Sequence, residues 1–141
     1  MDRRALLQAM GAAAVLPLAG SAGLEAQTAE KEVVYELRIY HLYEGKLEPL
    51  LARFRGPERK IFEKLNMHCV AFWTPTDEPL KGRTFIYILR HPSRAIADEN
   101  WKKFQADPEW VKLKAESEKD GPFVEKHDVT FMALTDFSPV V

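Results

Sequence analysis

Residues 33–66, "VVYELRIYHLYEGKLEPLLARFRGPERKIFEKLN", change their hydrophobic period once, and that change decides the fold. Over 33–42, β-branched and aromatic residues crowd together while Glu36 and Arg38 are spaced by two, the pattern of a strand. "YEGK" breaks the run. From Leu47 onward, Leu50, Leu51, Phe54, Ile61, Phe62 and Leu65 recur at helical spacing, which predicts an amphipathic helix of about five turns. Pro57 removes one helical hydrogen bond, so a kink or short break is expected at Gly56-Pro57. Asn66 tolerates the left-handed backbone of a helix end and stops the run.

The rest of the chain repeats this alternation. "MHCVAFWT" (67–74) reads as a second strand, "TPTDEPLKGR" as a turn-rich loop, and "TFIYILRH" (84–91) as a third strand closed by Pro92. Ser93 is a good N-cap for the helix "SRAIADENWKKFQAD", where Ile96, Asn100, Trp101 and Phe104 are expected to share a face. Asp107 and Pro108 open another helical piece, "PEWVKLKAESEKDG". "KHDVTFMALTDF" (126–137) supplies a fourth strand before the tail "SPVV". The order β-α-β-β-α-β is an α+β, ferredoxin-like arrangement.

Residues 1–26 differ from this pattern. Arg3 and Arg4 precede an apolar run, Ala9 to Gly20, and then the small residues Ser21, Ala22, Gly23 and Ala26. That order is expected of a secretory signal peptide cleaved after Ala22 or Ala26. The arginine pair favours a twin-arginine (Tat) signal over a Sec signal, although Asp2 and Ala5 depart from the usual Tat pattern. Twelve weakly apolar residues are too few to span a bilayer. The expected product, residues 27–141, is therefore a periplasmic or secreted domain without a stable membrane anchor.

The 141-residue chain has a net charge of −1, which leaves no basic surplus for nucleic acid. Its single cysteine, Cys69, rules out an intramolecular disulfide and four-thiolate metal sites, and its apolar setting suggests an inert buried thiol.

Strand patterning adds an expectation about assembly. Phe85, Tyr87 and Leu89 lie on one face of the third strand and Ile86 and Ile88 on the other; Val70 and Phe72 oppose Cys69, Ala71 and Trp73 in the second. One layer of helices covers one side of a sheet. The second apolar face is expected to pair with another copy, giving a homodimer whose sheets face one another.

"VYELRIYHLYEGKLEPLLARFR", "VAFWT", "ADPEW" and "LTDFSP" together resemble the NIPSNAP family of the dimeric α+β barrel superfamily, from about Val34 to Pro139. The resemblance implies the same fold and dimer. It implies no single chemistry, because the superfamily includes cofactor-free oxygenases, haem enzymes and cyclases whose pockets lie between sheet and helices. Leu65 and Asn66 stand where members often carry His-Gly, and Tyr87 where a strand histidine is frequent.

Candidate site residues follow from position. Glu36, Arg38 and Tyr40 alternate on one side of the first strand. They could line a polar pocket in which Arg38 holds an anionic or carbonyl group and Tyr40 donates a hydrogen bond, with Trp73 among the ligand-binding residues. The alternative is a salt-bridged cluster on the dimer-facing surface. With strands 2 and 4 taken as antiparallel to 1 and 3, His41, His68, His91 and His127 gather at one end of the sheet. Such a set is able to ligate Zn or Cu, but histidines are at home on wet strand ends and no metal is assigned. Pairs such as Asp98-Glu99 and Glu116/Glu118 read as solvated, and no cofactor is implied. The expected function is binding of a small, partly apolar molecule between sheet and helices. A cofactor-independent oxygenase on an aromatic or quinol-like substrate, assisted by Tyr87 or His68, is one alternative; a structural or interaction module is another. An open cavity with Arg38 or Tyr40 at its wall favours binding, and a filled one favours the module.

Overall fold

The computed structural model describes residues 32–141, so the signal-peptide reading lies outside the described residues. Strand β1 spans Val34–Leu42 and ends at a turn in which Gly45 takes a φ of +78°, a value that suits glycine. Helix α1 (Leu47–Arg53) runs without a break into a π-helical turn, Phe54–Glu58, and on into α2 (Arg59–Lys64). The expected interruption at Gly56-Pro57 thus takes another form. Pro57 has no N–H for the Arg53 carbonyl and its ring would crowd that oxygen; widening the turn absorbs both problems. Asn66 follows at φ 58°, as the helix end requires.

Strands β2 (His68–Trp73) and β3 (Thr84–His91) come next. Helix α3 (Arg94–Ala106) is capped by the Ser93 hydroxyl, which accepts the Ile96 N–H, and α4 (Pro108–Ser117) by the Asp107 carboxylate, which accepts those of Glu109 and Trp110. On α3 it is Ala97, Asn100 and Phe104 that are buried, whereas Ile96 is turned outward. Strand β4 covers Val124–Met132, earlier and shorter than expected. Its pairing with β1 ends at Tyr35–Met132, one residue from the start of β1, so nothing remains for residues 133–137 to pair with. Residues 133–141 form an irregular tail, on which Val141 accepts a hydrogen bond from the Tyr35 hydroxyl at 3.1 Å.

The sheet order is β2-β3-β1-β4, and every neighbouring pair is antiparallel. Strands β1 and β2 therefore run one way and β3 and β4 the other. This corrects the expected direction of β2 and β3: each β-α-β crossover joins strands that run the same way. The histidines divide accordingly. His41 and His127 lie at one end (His41 opposite Lys126, Tyr40 opposite His127), and His68 and His91 at the other (opposite Arg90 and Val34). The four-histidine cluster does not form.

The helices cover one face of the sheet. There Phe85, Tyr87 and Leu89 of β3 and Leu42 of β1 are buried against Leu50, Phe54 and Phe62 from the helices. Phe62 stacks on Phe104 with centroids 4.7 Å apart, and Phe54 meets Phe85 at 4.8 Å. In β2 a bulge between Cys69 and Ala71 resets the alternation. Cys69 and Phe72 pair with Leu89 and Tyr87 on the helix side, while Ala71 and Trp73 pair with Ile88 and Ile86 on the other. The expected partition of β2 is corrected on this point.

Candidate functional site

Strand β1 places Glu36, Arg38 and Tyr40 under the helices, opposite Leu89, Tyr87 and Phe85 of β3. The three residues take different roles. Glu36 is fully buried and acts as a hub: one carboxylate oxygen accepts from Trp101 Nε1 at 2.6 Å and faces His91 Nε2 at 2.8 Å, and the other accepts from Arg38 at 2.9 Å. Burial alone would raise its pKa, but the bonds from His91 and Trp101 and the charge of Arg38 outweigh that and hold it below the usual carboxylate range. Glu36 therefore anchors Arg38 from behind. It is absent from the cavity wall, where the expectation had placed it beside Arg38 and Tyr40.

Arg38 and Tyr40 do face a cavity. A space of about 240 Å³ opens between sheet and helices, with Arg38, Tyr40, Phe62, Trp101, Phe104 and Trp110 among its walls. The Arg38 guanidinium lies over the Trp101 ring at 4.0 Å, and its Nε is buried without a partner. The Tyr40 hydroxyl lies 2.6 Å from that of Tyr87. Burial raises both phenols, Tyr87 well above the ordinary tyrosine range. The expected cluster on a dimer-facing surface is thus corrected: the ion pair exists, but on the helix side.

Long-range contacts add residues that the sequence pattern does not reveal. The π-turn presents Glu58 to the cavity, where its Oε2 accepts from Arg53 Nε at 3.1 Å. Arg53 also donates to Ser117 Oγ at 3.0 Å and Glu118 Oε2 at 3.1 Å, with its guanidinium 4.7 Å from the Phe123 ring. Glu118, expected to be solvated, instead lines the cavity. Burial pushes Glu58 up to about 7; Arg53 opposes the rise and Glu118 adds to it. The one local hint of this group is its position beside Gly56-Pro57.

The remaining expected site residues lie elsewhere. Trp73 is on the sheet face away from the helices and exposed, so it is not part of this pocket. Tyr87 is sealed and reaches the cavity only through Tyr40. His68 borders a separate groove with Arg59 and Glu63. His41 pairs with Asp128 at 2.9 Å, while His127 lines the cavity beside Tyr40. Among the described residues no group of three or more His, Cys, Asp or Glu is placed to hold a metal ion. Burial raises the Cys69 thiol to about 11, which keeps it protonated.

The NIPSNAP family model matches residues 35–139, most of the chain. The chain belongs to the NIPSNAP family. Solved NIPSNAP structures share its fold. A NIPSNAP-like domain protein from Burkholderia xenovorans is similar at 15% identity and a TM-score of 0.68, covering 79% of this chain and 92% of that one. A NIPSNAP family protein from Agrobacterium tumefaciens is similar at 21% and 0.67, covering 78% and 100%. SnoaB from Streptomyces nogalater, a cofactor-independent oxygenase, is more distant at 9% and 0.50, covering 77% and 99%. At these identities the likeness is one of fold. No curated protein matches the chain.

Proposed function

We propose that this NIPSNAP domain binds a small, partly apolar molecule bearing an oxygen acceptor or anionic group, held between sheet and helices. One observation carries the reading: the cavity is open, and Arg38 and Tyr40 stand in its wall beside the aromatic rings of Phe62, Trp101, Phe104 and Trp110. The Tyr87 hydroxyl is sealed against Tyr40, so of the two phenols it is Tyr40 that meets an acceptor in the cavity. A volume of about 240 Å³ suits a single ring with a short polar substituent rather than a drug-sized ligand.

The domain acts as a homodimer in this reading, with the sheet faces of two copies in contact. Leu37, Ile39, Ile86 and Ile88 remain partly exposed on the face away from the helices, and a groove of about 500 Å³ lined by Ile88, Trp73 and Leu134 runs along it. Export to the periplasm follows from residues 1–26 as a Tat-type signal peptide. Native mass spectrometry of the purified protein tests assembly and ligand together. Dimer mass with a co-purified small molecule, lost in Arg38→Ala, is the expected result; an empty cavity that also rejects single-ring carboxylates and carbonyl compounds overturns the binding reading.

A further inference from the structure

The cavity wall carries one group that the binding reading does not use, the carboxyl of Glu58. It is 3% exposed, and its ion-pair partner Arg53 is shared with Glu118. One guanidinium faces two carboxylates in a buried setting, and Glu58 is the less solvated of the two. Such a group exchanges its proton readily. The Tyr40 hydroxyl and the Arg38 guanidinium line the same space. A proton acceptor, an O–H donor and a cation between aromatic walls are the parts needed to enolise a carbonyl compound.

We propose that the cavity interconverts the keto and enol forms of a small single-ring 2-oxo acid, with Glu58 moving the proton. The proposal rests on the binding reading. Arg38 holds the carboxylate, Tyr40 hydrogen-bonds the carbonyl oxygen, and the ring lies among Phe62, Trp101 and Phe104. Glu58, ionised, takes a proton from the carbon beside the carbonyl. The C–H electron pair becomes the new C=C bond, the C=O π pair moves onto oxygen, and the proton returns from Glu58 to that oxygen. Keto and enol contain the same atoms and electrons, so no oxidant or reductant enters.

The charged and titratable groups around Glu58 are Arg53 from α1, Glu118 beyond α4, Lys114 from α4 and His127 from β4, which line the same cavity with Arg38 and Tyr40 from β1, and Cys69 from β2. Tyr87 from β3 stands behind Tyr40. The Glu58→Gln variant separates its titration from theirs.

Phenylpyruvate is the probe. Its binding to the full-length protein is measured by calorimetry, and loss of the enol by ultraviolet absorbance between pH 5 and 9. The wild type is expected to accelerate enol–keto exchange at least tenfold over buffer, with a rate that rises through neutral pH and then levels. Glu58→Gln is expected to bind within a few-fold of wild type and return the rate to the buffer value; Tyr40→Phe is expected to lower kcat more than it changes KM. Binding without acceleration at any pH overturns the proposal and leaves the binding reading intact, as does full activity in Glu58→Gln. If Glu58→Gln does not fold, a wild-type rate that does not change through neutral pH overturns it instead. Absence of binding overturns both.

Discussion

The hydroxyls of Tyr40 and Tyr87 lie 2.6 Å apart across neighbouring strands, yet only Tyr40 borders the cavity. The two phenols are therefore unequal. Tyr40→Phe leaves the Tyr87 hydroxyl buried without a partner and is expected to cost about 1–3 kcal/mol. Tyr87→Phe frees Tyr40 to turn to the cavity and is expected to cost less than about 1 kcal/mol. Denaturant unfolding of both variants and the double variant checks this. The double should be no less stable than Tyr40→Phe alone.

Glu58 gives the fold a pH dependence of definite sign. Its carboxyl titrates at about 7 in the folded protein against an ordinary 4.5, so between those values the folded state holds the extra proton. Stability from this group therefore falls as pH rises from 4.5 through about 7 and is level above, a change on the order of 3 kcal/mol. Glu58→Gln should remove that slope and melt higher than wild type at pH 8. A parallel pair of melting-temperature curves from pH 5 to 8 would contradict it.

Glu36 acts in the opposite sense. Its pKa is lowered by its partners, so its contribution is present above pH 4.5 and is lost as pH falls through the folded value. Glu36→Gln keeps an acceptor for Trp101 but leaves the Arg38 charge uncompensated. The expected loss is about 2–3 kcal/mol at pH 7, shrinking in acid, measured by urea unfolding.

Asp107 joins two helices. Its carboxylate caps α4 and reaches Lys64, the last residue of α2, at 2.6 Å. Asp107→Ala is expected to lower the melting temperature, mostly through loss of the cap because the lysine is exposed. Asp107→Asn, which keeps the cap, should recover most of the loss in thermal melts.

Ile88 lies at the middle of the sheet face away from the helices, next to Ala71 and Leu37. In the proposed dimer, Ile88→Glu places a charge in the contact and should shift sedimentation toward monomer without changing ligand binding at the cavity on the other face. Dimers of unchanged stability would count against this contact surface.

Much of this was legible because local patterns carried it. Thr84 and Pro92 bound β3, Ser93 and Asp107 cap their helices as their side chains dictate, and alternation along β1 put Arg38 and Tyr40 on one face. What escaped the sequence depended on distance or direction. Arg53 and Glu118 meet across 65 positions, so nothing near either residue betrays the contact. Cys69 was misplaced by a bulge that alternation does not foresee, and the histidine cluster was lost to the direction of β2 and β3. Family resemblance supplied the fold and a pocket between sheet and helices, and was silent on Glu58, whose place in that pocket comes from a helical irregularity.

That irregularity has a consequence in chain length. A π-turn is an α-helix carrying one extra residue, so removing a residue from Phe54–Glu58 would restore a regular helix while leaving the residues after it on the faces they now occupy. Glu58 lies in the widened turn, so insertion or deletion of a single codon is enough to bring a carboxyl to this cavity or take it away. Relatives with the same sheet and the same aromatic wall can then differ in chemistry without exchanging any residue of the strands.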